Sequence, residues 1–265
     1  MIRKSCGKFT STLVAHLIRN PILKVLSSIQ THRVQALLMG GQACVFYGAA
    51  EFSRDTDLAI LASSANLARL QKALKDLKAE VIAVPPFDVK YLRKGHAIHF
   101  RSNHAEAPGM RVDVMTKMRG VSPFTELWKR RTTIEVDGST IELMGLPDLV
   151  QAKKTQCDKD WPMIRRLVEV NYFANRENPT ENQIRLWFLE LRTPQLLIEL
   201  AQQNRIPAQL LEQRRLLKVL KSEDESLLAK LLIEEEEQIR NADRLYRMPL
   251  KKELEMLRHA RISRN

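Results

Sequence analysis

Two aspartates, Asp55 and Asp57, stand two positions apart in the stretch SRDTDLAI (53–60). In a β-strand, residues two apart project to the same face, so the strand would begin with two carboxylates side by side. Two adjacent negative charges are costly unless a cation neutralises them. Carboxylate oxygens suit Mg²⁺ or Mn²⁺, and Mg²⁺ is typically held by one or two carboxylates together with phosphate oxygens of a substrate. The pair therefore predicts a divalent metal site that handles a phosphate-bearing substrate.

A third carboxylate, Asp113, stands between two valines in RVDVMT (111–116). A strand of this kind can lie next to the predicted strand 57–62 in one sheet. Three carboxylates could then hold two metal ions, one on a triphosphate and one on an attacking hydroxyl, for in-line displacement at phosphorus. Asp113 is the candidate to contact that hydroxyl and to accept its proton.

A double glycine, Gly40-Gly41, lies between a predicted strand and a predicted helix, fourteen residues before Asp55. Glycines at such a position let backbone N–H groups approach a phosphate at the positive end of a helix. They are therefore candidate phosphate-binding residues. Ser53 is a further candidate, because its hydroxyl could donate a hydrogen bond to the phosphate. A serine hydroxyl at a strand end also commonly bonds its own backbone.

Short β-like runs alternate with helical runs as far as residue 145, which is an α/β pattern. The predicted strands are 36–40, 57–62, 80–84, 96–102 and 111–116, and the predicted helices in this part are 42–48 and 66–80. A β-hairpin is predicted over 132–143, because Asp137-Gly138 is a turn signal between two alternating runs.

From Leu146 onward the sequence pattern is helical, and all nine glycines precede this point. We therefore expect a helical N-terminal extension (1–33), an α/β domain (34–145) and an all-helical C-terminal domain (146–265). The charged run 233–264 is predicted to form two solvated amphipathic helices separated near Pro249.

The combination of GG (40–41), SRDTDL (53–58) and VDV (112–114) resembles the minimal nucleotidyltransferases of the DNA-polymerase-β-type fold. The similarity covers about residues 34–170 and is greatest to the nucleotidyltransferase toxins of abortive-infection and type IV toxin–antitoxin systems. Aminoglycoside nucleotidyltransferases are more distant. The resemblance implies an α/β (α+β) fold with a mixed sheet, and catalytic, metal-binding roles for Asp55, Asp57 and Asp113.

The activity implied by this resemblance is transfer of a nucleoside monophosphate from an NTP to an acceptor hydroxyl, with release of pyrophosphate. The acceptor could be RNA, including a tRNA end, a protein or a small molecule, and the sequence does not decide between them. The resemblance also implies a cognate antitoxin as a possible partner.

The segment LPDLVQAKKTQCDKDWPMIRRL (146–167) resembles the downstream helix of that family, which carries a lysine followed by an Arg-x-Lys-Asp-like element. This implies that Lys153 or Lys154 contacts the triphosphate and that Lys159-Asp160 match the Lys-Asp element. The alternative for the two lysines is an exposed helix face.

Two residues depart from the family pattern. Cys157 stands where an arginine is expected, and Glu51 stands where an arginine often precedes the first aspartate of the pair. Both departures leave open a second function, a nucleotide- or RNA-binding module that keeps the fold without turnover. A third, a metal-dependent glycosyltransferase, also uses an Asp-x-Asp pair, but it needs no Asp113 and no Gly-Gly turn.

Composition gives weaker indications about partners and location. The chain has 43 Lys and Arg against 31 Asp and Glu, a net charge of +12, which favours polyanionic partners such as nucleotides or RNA. Many basic proteins have no such role. Three cysteines without metal-ligand spacing disfavour a zinc site or a disulfide framework and favour a reducing, cytoplasmic setting. No apolar run approaches the roughly 18 residues that cross a bilayer, so we expect no membrane association.

Two further groups of residues are candidate sites. His96 and His99 would project to opposite strand faces, so they are not expected to share a metal. The segment 117–131 combines basic residues with Phe124 and Trp128, which could contact nucleic acid or form the core face of a helix.

Overall fold

The computed structural model describes residues 21–136 and 138–263 of the 265-residue chain. These residues form two compact units. The first unit contains the described residues up to Leu149 together with those from Arg247 onward, and the second contains Val150–Tyr246.

The first unit is built on a sheet whose described part has seven strands in the order β3-β4-β5-β2-β1-β7-β6. The strands are β1 Ala36–Met39, β2 Asp55–Ile60, β3 Glu80–Val81, β4 Ile98–Arg101, β5 Arg111–Met115, β6 Thr132–Val136 and β7 Ser139–Leu143. The pairs β2/β5 and β1/β7 are parallel and the other pairs are antiparallel. This mixed sheet confirms the predicted α/β class.

Five described helices of the first unit precede the β6–β7 hairpin. They are α1 Pro21–Thr31, α2 Gly40–Phe46, α3 Ser64–Asp76, α4 Val89–Lys94 and α5 Phe124–Lys129. Helix α3 begins where Ser63 accepts a hydrogen bond from the backbone N–H of Asn66, and its Leu70 and Leu74 are buried. Helix α1 is tied to it, because Ser28 Oγ donates to Asp76 Oδ2 at 2.7 Å.

One face of the sheet is apolar and the other carries charge. On β2, Leu58 and Ile60 join the buried core, and on β5 so do Val112 and Val114. Because side chains alternate between the two faces of a strand, the residues next to these along each strand project to the opposite face. Asp57 and Asp113 are among those residues.

Most predicted strands are confirmed with shorter bounds. The predicted strand 80–84 is reduced to Glu80–Val81, and Pro85 and Pro86 follow, which lack the N–H that a ladder needs. Strand β2 begins at Asp55, so both aspartates of the pair lie within the strand. The predicted hairpin is confirmed by the antiparallel pairing of β6 with β7, although Asp137 of its turn lies outside the described residues.

The described residues after Leu146 are helical, as predicted. The elements are α6 Leu146–Lys153, α7 Asp160–Asn175, α8 Glu181–Glu190, α9 Pro194–Gln203, α10 Ala208–Gln213, a 3₁₀-helix Arg215–Ser222 and α11 Glu225–Ile262. In the second unit, Tyr172 and Trp187 are almost fully buried, with ring centroids 5.0 Å apart in an edge-to-face arrangement. In the described parts of the chain, no helix combines the length and the apolar character needed to cross a membrane.

A buried arginine also holds the second unit together. Arg214 donates from Nε and Nη2 to the two carboxylate oxygens of Glu235, each at 2.9 Å, and from Nη1 to the carbonyl of Phe188 at 2.9 Å. Burial raises the pKa of Glu235, but the cations around it, Arg214 above all and also Arg192 and Lys154, together outweigh burial and hold that pKa below its usual value. The carboxylate is therefore charged and paired.

The predicted break near Pro249 is wrong, because α11 runs continuously through it. A proline in a helix interior loses one backbone hydrogen bond and strains the preceding turn. Here that turn lies at the surface, with Leu245 and Met248 both exposed, so water can solvate the freed carbonyl. Beyond the proline, Glu253 accepts hydrogen bonds from Lys94 Nζ at 2.5 Å and His96 Nε2 at 2.8 Å, which hold the helix end on the first unit.

The predicted N-terminal helical extension (1–33) is described only in part. Residues 1–20 lie outside the described residues, and Pro21–Thr31 form helix α1. The domain boundaries proposed from the sequence stay a prediction.

Candidate active site

The three aspartates singled out in the sequence lie on one face of two neighbouring strands. Strands β2 and β5 are parallel, with Asp57 paired with Asp113 and Asp55 paired with Arg111. Paired residues on adjacent strands project to the same side, and so do residues two apart on one strand. Asp55, Asp57 and Asp113 therefore share the polar face of the sheet. Asp113 is 6% exposed, whereas Asp55 and Asp57 are half-buried.

Gly40 leaves the space that the carboxylate of Asp57 occupies. Strand β1 pairs antiparallel with β2 so that Met39 lies opposite Asp57, and Gly40 follows with φ +66°. A Cβ on Gly40 would lie 1.8 Å from Asp57 Oδ2 and 2.5 Å from its Cγ. A side chain at position 40 is thus excluded by both backbone conformation and contact.

Gly41 has a similar relation to Ser53. A Cβ on Gly41 would lie 2.4 Å from Ser53 Oγ. The Ser53 carbonyl accepts a hydrogen bond from the Gln42 side chain at 2.6 Å, and its own hydroxyl makes a long contact of 3.4 Å to the carbonyl of Asp55. Gln42 was missed by sequence reasoning, and it fixes the loop that leads into β2. Phosphate binding by Gly40, Gly41 and Ser53 stays a prediction.

Asp113 is held by two basic residues on the same face. Arg111 donates from Nε to Asp113 Oδ1 at 2.9 Å and from Nη2 to Oδ2 at 2.8 Å. His99, opposite Asp113 on β4, brings Nδ1 within 2.9 Å of Asp113 Oδ1 and within 3.1 Å of Arg111 Nη2. A single ring nitrogen cannot donate to one of these groups while accepting from the other. We assign its proton to the shorter contact with the carboxylate.

These contacts set the charge of Asp113. Burial raises the pKa of Asp113, but hydrogen bonds from His99 and Arg111 outweigh burial and hold that pKa below its usual value. The carboxylate is therefore ionised and already compensated within the chain. Sequence reasoning missed both partners. The spacing of two between Arg111 and Asp113 was a signal for one of them, because it places both side chains on one strand face.

The donor set of the Asp55 and Asp57 pair fits a hard divalent cation, which needs one or two carboxylates and completes its shell with substrate phosphates and water. Asp113 differs, because Arg111 occupies both of its oxygens. Within residues 21–136 and 138–263, no three His, Cys, Asp or Glu side chains form a ready-made metal site. A ligand role for Asp113 stays a prediction, and it requires Arg111 to withdraw.

The downstream candidates, Lys153, Lys154 and Asp160, belong to the second unit. Lys153 Nζ donates to Asp160 Oδ1 at 3.1 Å, and Thr155 Oγ1 donates to Asp160 Oδ2 at 2.6 Å. Lys154 Nζ donates to Glu190 at 2.7 Å. The two lysine side chains are 13% and 12% exposed, so they do not form a freely solvated helix face. Their contact with a triphosphate stays a prediction.

The two departures from the family pattern lie in different settings. Glu51 is exposed in the loop before β2, whereas Cys157 is half-buried and its backbone N–H donates to Thr155 Oγ1 at 3.0 Å. Neither position supplies a cation where the family pattern has an arginine.

The aromatic segment after β5 packs inward. Phe124 is buried and stacks on Trp128 with ring centroids 5.6 Å apart, and the Arg131 guanidinium lies 4.3 Å from the Trp128 ring. This favours the core-face interpretation of the segment over base stacking.

Comparison with known proteins gives distant likenesses only. No protein-family model matches the chain. No curated protein matches it either. Among solved structures, the chain is similar to a candidate nucleotidyltransferase from H. pylori, with 14% identity, 88% of this chain and 99% of that chain covered, and a TM-score of 0.38. It is also similar to an antigenic nucleotidyltransferase-like protein from Paracoccidioides brasiliensis, with 17% identity, coverages of 81% and 93%, and a TM-score of 0.38. Likenesses at these TM-scores are too partial to support a conclusion about this chain.

Proposed function

We propose that this protein is a metal-dependent nucleotidyltransferase that transfers a nucleoside monophosphate from an NTP to an acceptor hydroxyl and releases pyrophosphate. The observation that carries the proposal is the shared strand face of Asp55, Asp57 and Asp113, with Asp57 and Asp113 in register on parallel neighbours. Asp55 and Asp57 place two half-buried carboxylates side by side next to Asp113, a donor set that suits a divalent cation together with a phosphate-bearing substrate.

Asp55 and Asp57 would hold the metal. When bound, Mg²⁺ or Mn²⁺ supplies charge neutralisation for the triphosphate and for the transition state at phosphorus. Neighbouring residues of the chain hold both carboxylates in place. Gly40 leaves room for Asp57, and Gln42 anchors the loop before Asp55 through the Ser53 carbonyl.

Asp113 would orient the acceptor hydroxyl. While Arg111 and His99 hold it, its lowered pKa makes it a weak base, because a general base works best with a pKa near the working pH. Proton acceptance by Asp113 therefore requires Arg111 to leave the carboxylate, as substrate phosphates would favour by competing for the guanidinium.

We further propose an antitoxin partner and a cytoplasmic location, which rest on the sequence resemblance and the composition alone. The net charge of +12 favours RNA, including a tRNA end, over a protein or a small molecule.

A labelling experiment tests the proposal. The protein is incubated with each α-³²P-labelled NTP, Mg²⁺ and a panel of RNAs, proteins and aminoglycosides, and label transfer is compared between wild type and Asp57→Asn. Asp88→Asn is the matched control, because Asp88 caps α4 through the Lys90 N–H at 2.8 Å and asparagine caps equally well. We expect transfer by wild type and Asp88→Asn and its loss in Asp57→Asn. Equal labelling by all three proteins would exclude the proposed role of Asp57.

A second function, binding of a nucleotide or RNA without turnover, is favoured by one observation, the paired hydrogen bonds of Arg111 to Asp113. A guanidinium that remains there keeps the third carboxylate from metal and substrate. Calorimetry separates the two functions. NTP binding that needs no Mg²⁺, with no pyrophosphate released, would favour the binding module.

A further inference from the structure

A cleft of about 560 Å³ lies within the second unit, and none of its lining residues is one of the site residues assigned above. It is lined by one face of α7, by the segment between α8 and α9, and by one face of α11. Its volume is in the range of small-molecule sites. Three arginines line it: Arg165, Arg166 and Arg192.

Arg192 is a buried cation whose donors are not all satisfied. The residue is 5% exposed, and its Nε and Nη1 have no hydrogen-bond partner among the described residues. Its guanidinium lies 4.6 Å from the ring of Trp161. Nη1 is 3.3 Å from Glu235 Oε2, but both Glu235 oxygens already accept hydrogen bonds from Arg214. The charge of Arg192 therefore shares one carboxylate with Arg214, and this incomplete compensation favours an anion in the cleft beside it.

Arg165 and Arg166 add two exposed cations to the same cleft. They lie on α7, one turn after Trp161, and neither has an ion-pair or hydrogen-bond partner among residues 21–136 and 138–263. Guanidinium groups bind phosphate oxygens with two parallel hydrogen bonds, which makes phosphate the anion best matched to a cluster of arginines.

The carboxylates in the cleft are already paired. Asp158 and Glu236 both contact Arg240, at 2.6 Å and 3.1 Å, and Glu169 accepts a hydrogen bond from Thr193. They therefore leave Arg165 and Arg166 without an internal counter-ion, and Arg192 shares Glu235 with Arg214.

The remaining wall of the cleft is apolar. Ala229, Leu232 and Ile233 line it from α11, and Ile233 is 61% exposed. An apolar wall beside a cationic one suits a ligand with a carbon framework on one side and an anionic group on the other.

From these contacts we infer that the cleft is a binding site for an organic phosphate, with the phosphate on Arg165, Arg166 and Arg192 and the carbon framework against the apolar wall. The site goes beyond the proposed nucleotidyl transfer, because none of the residues assigned to that reaction lines it, although Asp158 and Trp161 flank Asp160.

Calorimetric titration with 5′-AMP and with inorganic phosphate tests this inference. The buffer contains EDTA and no divalent ion, so that a metal-dependent nucleotide site does not contribute heat. Wild type is compared with Arg165→Gln/Arg166→Gln, in which both changed residues are exposed and the fold is expected to persist. The matched control is Arg205→Gln/Arg215→Gln, which removes the same charge from exposed residues of the same unit.

We expect AMP to bind wild type and the control double variant with equal affinity, and to bind Arg165→Gln/Arg166→Gln at least about tenfold more weakly. Arg192→Met should weaken binding similarly, with its thermal midpoint measured to verify folding. Tighter binding of AMP than of inorganic phosphate supports an organic ligand. Equal affinity for the two would overturn the role of the apolar wall in binding a carbon framework. No binding to wild type, or equal weakening in the control variant, would overturn the site and leave a water-filled cleft.

Discussion

The close approach of Gly40 to Asp57 predicts the effect of a single added methyl group. In Gly40→Ala, the new Cβ would lie 1.8 Å from Asp57 Oδ2 and 2.7 Å from Asp57 Cβ, so the aspartate must move. The residue also keeps φ +66°, which costs an alanine about 1–2 kcal/mol. Overpacking of this kind adds about 1–3 kcal/mol. We therefore expect a total loss of about 2–5 kcal/mol in the free energy of unfolding.

Gly109→Ala separates the two contributions. Gly109 has a similar φ of +70°, but a Cβ there would meet nothing within 4 Å. This variant should lose only the conformational cost of about 1–2 kcal/mol. The difference between the two variants then measures the contact with Asp57.

Urea denaturation followed by circular dichroism measures both variants. A further check is Gly40→Ala in an Asp57→Ala background, where the colliding carboxylate is gone and the cost of the alanine at position 40 should fall by about 1 kcal/mol or more. If Gly40→Ala were no more destabilising than Gly109→Ala, the placement of the Asp57 carboxylate against Gly40 would be refuted.

Three other variants test features within the individual units. Pro249→Ala restores a backbone N–H inside α11 and should raise the free energy of unfolding by about 1–2 kcal/mol in urea denaturation; a loss would contradict the described helix. Hydrogen bonds from Lys94 and His96 hold the pKa of Glu253 below its usual value. The stabilisation by Glu253 is therefore fully present above the unfolded pKa of about 4.3 and is lost as the pH falls through the lower folded pKa, so Glu253→Gln should destabilise at pH 7 and lose this effect in acid in the same assay. Arg214→Met removes the two hydrogen bonds to the half-buried carboxylate of Glu235 and leaves it only the longer contact with Arg192, so it should lower the free energy of unfolding by about 3 kcal/mol, and a thermal midpoint equal to wild type would count against this pairing.

The polar face of the site was predictable from the sequence because it depends on local periodicity. Asp55 and Asp57 are two residues apart, and an alternating strand of valines around Asp113 indicates which residues turn away from the core. Register between strands is a tertiary property. The pairing of Asp57 with Asp113 depends on β5 lying parallel to β2, and no local pattern specifies that neighbour.

The contacts that the sequence did not reveal come from residues distant along the chain. His99 reaches Asp113 because β4 adds to the sheet beside β5, and Gly40 touches Asp57 because β1 pairs on the other side of β2. Pro249 misled the helix prediction for a related reason. Its intrinsic cost to a helix is real, but the turn before it is exposed, so the freed carbonyl is solvated and the helix continues.

The central claim, that Asp55 and Asp57 hold a divalent metal together with a nucleotide, is tested most directly by diffraction. Crystals soaked with Mn²⁺ and a non-hydrolysable NTP are measured at the manganese absorption edge, for wild type and for Asp57→Asn. We predict an anomalous peak in contact with the carboxylates of Asp55 and Asp57 and with phosphate oxygens, and its absence in the variant. A nucleotide bound without manganese at this face, or a peak that persists in Asp57→Asn, would contradict the account.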